Sequence, residues 1–268
     1  MSATTSKETE IEITFLGTRG EIDSRSRRHR RHSALLVRRG RVRIMIDCGV
    51  DWLKALRSVS PTAIILTHAH PDHAFGLAAG APYPVYATGE TWSLIARYPI
   101  ADRRIITPRK RFLIDGVRFE AFKVNHSIRA PAVGYRVSAD GAAFFYAPDL
   151  VSILDQRAAL HGVDLYIGDG ATITRPMVRR RDDTPIGHSP IRTQLGWCEV
   201  EAVSRAIFTH CGSEVVKGDG RRIAARVAAL GKAFGIAAHI AYDGLTLRLR
   251  RRTIARNKWS EKFPHTVS

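Results

Sequence analysis

Three imidazoles and one carboxylate fall within six residues in His68-x-His70-x-Asp72-His73. Directly upstream, Ala63-Ile64-Ile65-Leu66 is a continuous apolar run of the kind that forms a strand buried on both faces. A strand that empties straight into metal-ligating side chains constrains the chain strongly. The run belongs inside a covered sheet, and the cluster belongs at that sheet's carboxyl edge, where open α/β sheets place their sites. His68 and His70 alternate and can share one cation. Asp72 and His73 follow and can reach a second. Imidazole with carboxylate suits zinc, and also manganese or iron.

Three more candidates stand alone, each just past an apolar strand. His126 follows Phe119–Val124, Asp149 follows Phe144-Phe145-Tyr146, and His210 follows Ala206-Ile207-Phe208. Singly, each reads as a surface or capping residue. With the cluster they complete the roughly seven ligands of a two-metal site. We assign His68, His70 and His126 to one ion and Asp72, His73 and His210 to the other, with Asp149 bridging. Asp47 is expected behind them, accepting the free N–H of a ligand histidine.

The rest of the chain alternates strands, hairpins and helices. Ile11–Leu16 alternates like a strand, and Arg25–His32 reads as a basic loop. Ala34–Val37 and Val42–Ile46 read as a hairpin, and Asp51–Ser58 as a short helix capped by Asp51. Asp115-Gly116, Asp140-Gly141 and Asp243-Gly244 each mark a hairpin turn. Arg221–Phe234 is an amphipathic helix with Ile223, Val227, Leu230 and Phe234 on one face. No linker or repeat interrupts this pattern. It implies a frayed stretch 1–10, a single domain 11–250 and a basic tail 251–268.

Composition narrows the partners. The 268 residues carry 42 basic and 25 acidic side chains, a net charge of +17, mostly as arginine. Arginine matches planar bidentate anions such as phosphate, and a basic surface steers anions toward it. A high-GC genome would also enrich arginine. The three cysteines show no disulfide pattern, which suits a reducing cytoplasm. The amino terminus lacks an apolar signal segment, and no apolar stretch is long enough to span a membrane. The expectation is a cytoplasmic protein without a membrane partner; a homodimer is compatible with the sequence.

The ordered set His68-x-His70-x-Asp72-His73, His126, Asp149 and His210 resembles the metallo-β-lactamase superfamily. Phe15-Leu16-Gly17-Thr18 and Ile46-Asp47-Cys48-Gly49 are similar to its other landmarks. The resemblance spans roughly residues 11–250. It implies an α/β fold, an αββα sandwich of two mixed sheets with helices on both outer faces and two divalent metals at one edge. The motif order is similar to the ribonuclease Z and cyclic-nucleotide phosphodiesterase branch. There Asp169 and His188, in Gly168-Asp169-Gly170 and Gly187-His188-Ser189, would fill the places of an acidic residue and a histidine that assist the leaving group. Ribonuclease Z usually has glutamate where Asp169 lies. No glycine- and basic-rich insertion able to grip transfer RNA lies between His73 and His126, so the chain also resembles the shorter carbon–phosphorus lyase-associated phosphodiesterases.

The resulting expectation is a dinuclear phosphodiester hydrolase, a phosphodiesterase or nuclease, in which Asp72 serves the catalytic metal and Asp169 orients His188 as proton donor. Arg28, Arg31, Arg129 and Arg175 are candidate phosphate contacts, with Arg179-Arg180-Arg181 similar to them. Nucleic acid is one candidate substrate. Two alternatives use the same residues: a lactone or thioester hydrolase, and a nucleic-acid-binding module with a structural metal.

Overall fold

Along the first strand, β1 (Ile11–Gly17), Ile11, Ile13 and Phe15 are fully buried while the residues between them are partly exposed. That period of two fixes which side faces the interior. β2 (Ala34–Arg39) and β3 (Val42–Ile46) extend the sheet antiparallel, and β4 (Ala63–Ile65), β5 (Val85–Thr88) and β6 (Arg103–Ile106) continue it in parallel. The structure, a computed structural model, describes residues 10–250. The expectations for residues 1–9 and for the tail 251–268 lie outside the described residues. Glu10, expected to fray, is ion-paired with Arg248 and Arg250.

The second sheet begins with β7 (Phe112–Ile114) and the long β8 (Val117–Asn125), followed by β9 (Ala132–Ala139), β10 (Ala142–Tyr146), the short β11 (Ser152–Ile153) and β12 (Leu165–Asp169). Two strands stand apart as a ribbon, β13 (Met177–Arg181) and β14 (Thr184–His188). The chain then returns to the second sheet with β15 (Arg205–Thr209) and β16 (Ala237–Ile240), both parallel to β12. β17 (Thr246–Leu249) crosses back to pair antiparallel with β1. The hairpin expected at Asp243-Gly244 is therefore not formed, because its two strands belong to different sheets. Asp243 has another task. Its carboxylate accepts the backbone N–H groups of Arg30 and Arg31 at 2.9 and 3.1 Å and the Thr18 hydroxyl at 2.7 Å.

The sheets face each other across a core that includes Phe15, Leu35, Ile44 and Ile65 from one and Phe119, Tyr135, Phe144 and Ile167 from the other. Helices cover both outer faces. Short α1 (Leu56–Val59), α2 (Pro71–Ala74) and α3 (Gly89–Leu94) lie with the first sheet, where Trp52 and Trp92 pack with Met45, Ile64 and Val85. On the second sheet lie α4 (Gln156–Leu160), α5 (Ile191–Val200), α6 (Ser213–Lys217) and α7 (Gly220–Ala233), over Phe145, Tyr166 and Phe208. This is the αββα arrangement. The helix expected over Asp51–Ser58 is broken into a short turn, Val50–Trp52, and α1. Asp51 does not cap it, since its carboxylate instead binds Arg19 at 3.0 Å and the backbone N–H of His32 at 2.8 Å.

Strand direction places the site. β3, β4, β8, β10, β12 and β15 run so that their carboxyl ends lie toward one edge of the sandwich, and there follow Asp47, Thr67-His68, His126, Asp149, Asp169 and His210. Two hydrogen bonds pin the sheets together at that edge: Tyr135 Oη donates to Leu66 O at 2.6 Å, and Val133 N to Thr67 O at 3.1 Å. Replacing Asp243 with alanine leaves two backbone donors of the basic loop without their acceptor. We expect Asp243→Ala to cost about 1–3 kcal/mol, read as a lowered thermal midpoint with faster amide exchange at Arg30 and Arg31.

Candidate metal centre

At the end of β4 the chain runs extended through His70, whose φ of −62° and ψ of 150° precede Pro71 at the first position of α2. Proline starts the helix at no cost in hydrogen bonding. This short turn returns Asp72 and His73 toward the strand end, so all four cluster residues face one point. Gly49 allows the turn to pack closely, since a side chain there would collide with the Asp72 backbone.

The buried Asp47 carboxylate organises the imidazoles. It accepts the Thr67 N–H at 2.8 Å, the Thr67 hydroxyl at 2.9 Å and His73 Nδ1–H at 2.9 Å. Because the Thr67 proton goes to Asp47, Thr67 Oγ1 accepts from His68 Nδ1 at 2.9 Å. His126 Nδ1 donates to Gly187 O at 3.1 Å. Each of these bonds fixes a tautomer and turns Nε2, with its lone pair, inward. Thr67 was not singled out from sequence; its neighbours in the motif are more conspicuous.

The inward atoms form two groups. Around one point, His70 Nδ1 lies 3.0 Å from His68 Nε2 and 3.2 Å from His126 Nε2, while Asp149 Oδ2 lies 3.4 and 3.5 Å from those two. Convergent lone pairs repel unless a cation lies among them. Bonds of about 2.0–2.1 Å to tetrahedral zinc give donor separations of about 3.3–3.4 Å, which these spacings approach. Around the second point, Asp72 Oδ2 lies 3.1 Å from both His73 Nε2 and His210 Nε2, and Asp149 Oδ2 lies 3.0 Å from His73 Nε2. Asp149 belongs to both groups. His73 Nε2, Asp149 Oδ1 and His210 Nδ1 are buried without hydrogen-bond partners among the described residues. Orphaned donor atoms of this kind, in a nitrogen and oxygen set, fit a divalent cation.

Electrostatics separate the two halves. Burial, then neighbouring imidazoles, push His68 well down, and burial and His126 push His70 down to about 4. Burial lowers His126 too. On the other side burial opposes charge, but the carboxylates outweigh it. Asp72, Asp47 and Asp149 hold His73 well above its ordinary value, and Asp149 and Asp72 raise His210 to about 10. Burial would raise Asp149, yet His210, His126 and His73 hold it well down. Three buried carboxylates thus favour positive charge here.

Asp169 and His188 lie against this centre. His188 Nδ1 donates to Asp169 Oδ2 at 2.8 Å, and its ring lies 5.3 and 5.5 Å from those of His126 and His210. Asp169 also accepts the N–H groups of Leu150 and Ala171. Burial would lower His188, but Asp169 and Asp149 raise it. Gly187 has φ of 112°, and a side chain there would strike the Met177 carbonyl of the facing strand, so glycine lets the two strands of the ribbon close at this point.

A cleft of about 1400 Å³ opens over the centre. Arg129 and Arg175 line it. Arg28 and Arg31 do not: their guanidinium groups stack on Tyr242 and Trp52 at 4.6 and 4.5 Å, and the loop carrying them is tied down by Asp243 and Asp51. The structure therefore corrects their expected place at the cleft. Cys48, Cys198 and Cys211 are free and buried.

Comparison with known proteins agrees with this geometry. A family model described as a beta-lactamase superfamily domain matches residues 42–211. Ribonuclease Z of Mycobacterium bovis is 26% identical over 244 residues, covering 75% of this chain and 85% of that protein. Ribonuclease Z of Methanopyrus kandleri is 28% identical over 145 residues, covering 48% of this chain and 50% of that protein. Among solved structures, the metallo-beta-lactamase fold protein YhfI of Bacillus subtilis has a TM-score of 0.69 at 15% identity, covering 90% of this chain and 99% of its own. A diphosphatase from the PhnP family has 0.68 at 19%, covering 90% and 98%, and the short form of human tRNase Z has 0.62 at 18%, covering 88% and 98%. With its matched domain spanning well over half its length, the chain belongs to the beta-lactamase superfamily.

Proposed function

We propose that the protein is a metal-dependent phosphodiester hydrolase. The observation that carries this reading is the pair of donor groups sharing Asp149, with the Asp169–His188 pair beside them at the mouth of an arginine-lined cleft. The ribonuclease Z relatives and the PhnP-family fold support it. In this reading His68, His70 and His126 hold one divalent ion, Asp72, His73 and His210 a second, and Asp149 bridges. Zinc suits the donor set best, with manganese or iron as alternatives. The three free buried cysteines support a cytoplasmic setting.

When bound, such ions supply Lewis acidity toward phosphoryl oxygens and activate water at neutral pH. The chain's own residues do the rest. Arg129 and Arg175 attract the phosphodiester and neutralise its charge in the cleft. Asp169 takes His188 Nδ1–H, so Nε2 is the ring's remaining proton-bearing atom. Burial opposes charge on His188, but Asp169 and Asp149 shift the ring toward its protonated form, the form that can donate to a leaving oxygen.

Three measurements test this. Metal-loaded protein should hydrolyse bis(p-nitrophenyl) phosphate, and His68→Ala should reduce that to background; faster turnover of lactones or thioesters would overturn the reading. Thr67→Val should weaken metal binding about 10–100-fold in a chelator competition and also lower the apo melting midpoint, because it releases His68 from its tautomer and takes a hydroxyl donor from the buried Asp47. His188→Ala should slow an alkyl-leaving-group diester about 100-fold or more, yet slow the p-nitrophenyl ester much less. Equal losses on both would exclude His188 as the proton donor.

A further inference from the structure

The β13–β14 ribbon is not part of either sheet, and it rises beside the metal centre. Its turn, Asp182-Asp183, has both residues in the left-handed region at φ of 47° and 58°, the turn geometry that matches a tight antiparallel ribbon. Gly187 ties its base to the His126 loop through two hydrogen bonds, backbone Gly187 N–H to His126 O at 2.9 Å and the His126 ring Nδ1–H to Gly187 O. Its register pairs Met177 with His188, Arg179 with Ile186 and Arg181 with Thr184. Cross-strand partners share a face, and residues two apart share it again. Met177, Arg179 and Arg181 therefore lie on the face that carries His188, and Arg180 alternates to the other. Two residues of strand advance about 6.6 Å, so the face presents His188, then one guanidinium, then a second, at regular steps leading away from the metals.

These arginines are exposed, and none of Arg129, Arg175, Arg179, Arg180 or Arg181 has an ion pair among the described residues. Several arginines elsewhere are tied to acids: Arg38 to Glu12, Arg39 to Asp140, Arg111 to Glu120, Arg226 to Glu214. Five unpaired cations border one cleft; apart from Asp72 and Asp149 on the metal side, the acids lining it, Glu21 and Glu214, belong to other segments. Its volume of about 1400 Å³ exceeds the roughly 300–1,000 Å³ of sites shaped around one small molecule. Exposed Met177 and Ile128 stand among the arginines, offering apolar contact to bases.

We propose that this ribbon is a track for single-stranded nucleic acid: Arg179 and Arg181 hold successive phosphates beyond the scissile one, so the substrate is an oligonucleotide strand rather than a small diester. The stepwise guanidinium spacing is commensurate with an extended nucleotide backbone, and a lone small diester engages neither residue. The proposal rests on the phosphodiesterase reading above, but binding and cleavage can be read separately.

The test compares the metal-loaded wild type, Arg179→Ala/Arg181→Ala and a charge control, Arg118→Ala/Arg205→Ala. The control removes two exposed arginines at the amino ends of β8 and β15, on the opposite edge of the sandwich. The ratio of kcat/KM for a short single-stranded oligonucleotide to that for bis(p-nitrophenyl) phosphate should fall about tenfold or more in the ribbon variant and stay put in the control. In fluorescence anisotropy with the same labelled oligonucleotide, the slope of log affinity against log salt should shrink by about 1.4, the loss of two single-strand phosphate contacts. An unchanged ratio, an equal fall in the control, duplex bound as tightly as single strand, or tighter binding to phosphatidylserine vesicles than to the oligonucleotide overturns the track. Absence of ester hydrolysis by the wild type, with the salt slope behaving as stated, instead overturns the hydrolase reading and leaves the track standing.

Discussion

The centre depends on one buried anion. Asp47 has no exposed surface and no arginine or lysine partner among the described residues, and a carboxylate in that position is tolerated only when its oxygens are fully engaged. It engages them with Thr67 and His73, which lie on either side of the His68–His70 stretch. The same bonds that satisfy it fasten the end of β3 to the end of β4 and to α2. They also decide which nitrogen of His73, and through Thr67 which nitrogen of His68, is left to face inward. A single charge therefore sets backbone path, ring orientation and tautomer together. Its own position is special, with φ of 65°, a conformation that aspartate tolerates better than most residues.

Around that tie, strand direction does most of the assembly. His126, Asp149 and His210 are separated by dozens of residues, yet each follows a strand running toward the same edge, so no long loop has to be ordered to bring them together. His210 departs from the pattern in one respect: its φ of 53° turns the chain sharply back at the strand end, which swings the ring over Asp72 and Asp149. Gly20 packs against that ring from the loop after β1, and its N–H donates to Cys211 O at 3.0 Å, so the segment leading into the basic loop braces the second donor group.

Much of this was legible from residue order. Apolar runs ending in His or Asp marked the strand ends, and their shared direction follows from the alternation of strands with helices. What could not be read is where physical choice depends on distant partners. Arg28 and Arg31 look like cleft residues because they are basic and close to β1, but aromatic faces at Tyr242 and Trp52 compete for them. Asp243-Gly244 has good hairpin chemistry, yet its strands find better partners in opposite sheets. The ribbon 177–188 carries no strand signal because its first strand ends in three arginines, its second contains Pro185, and its turn has two aspartates in place of the usual glycine. Thr67 is invisible for a different reason: nothing in a single threonine signals that it relays between a carboxylate and an imidazole.

The crossing of β17 carries a consequence for how the protein comes into being. The first strand of the described chain pairs with the last, Ile11 with Leu249, and the turn just before β17 holds the basic loop through Asp243. A ribosome extrudes every candidate metal ligand, His210 last, before it releases the segment that completes the first sheet. The nascent chain thus passes through a stage in which the ligand set is complete but the loop beside His210 still lacks its anchor. Pairings this distant in sequence are slow to close, so the brace around the second donor group waits on the pairing of β1 with β17.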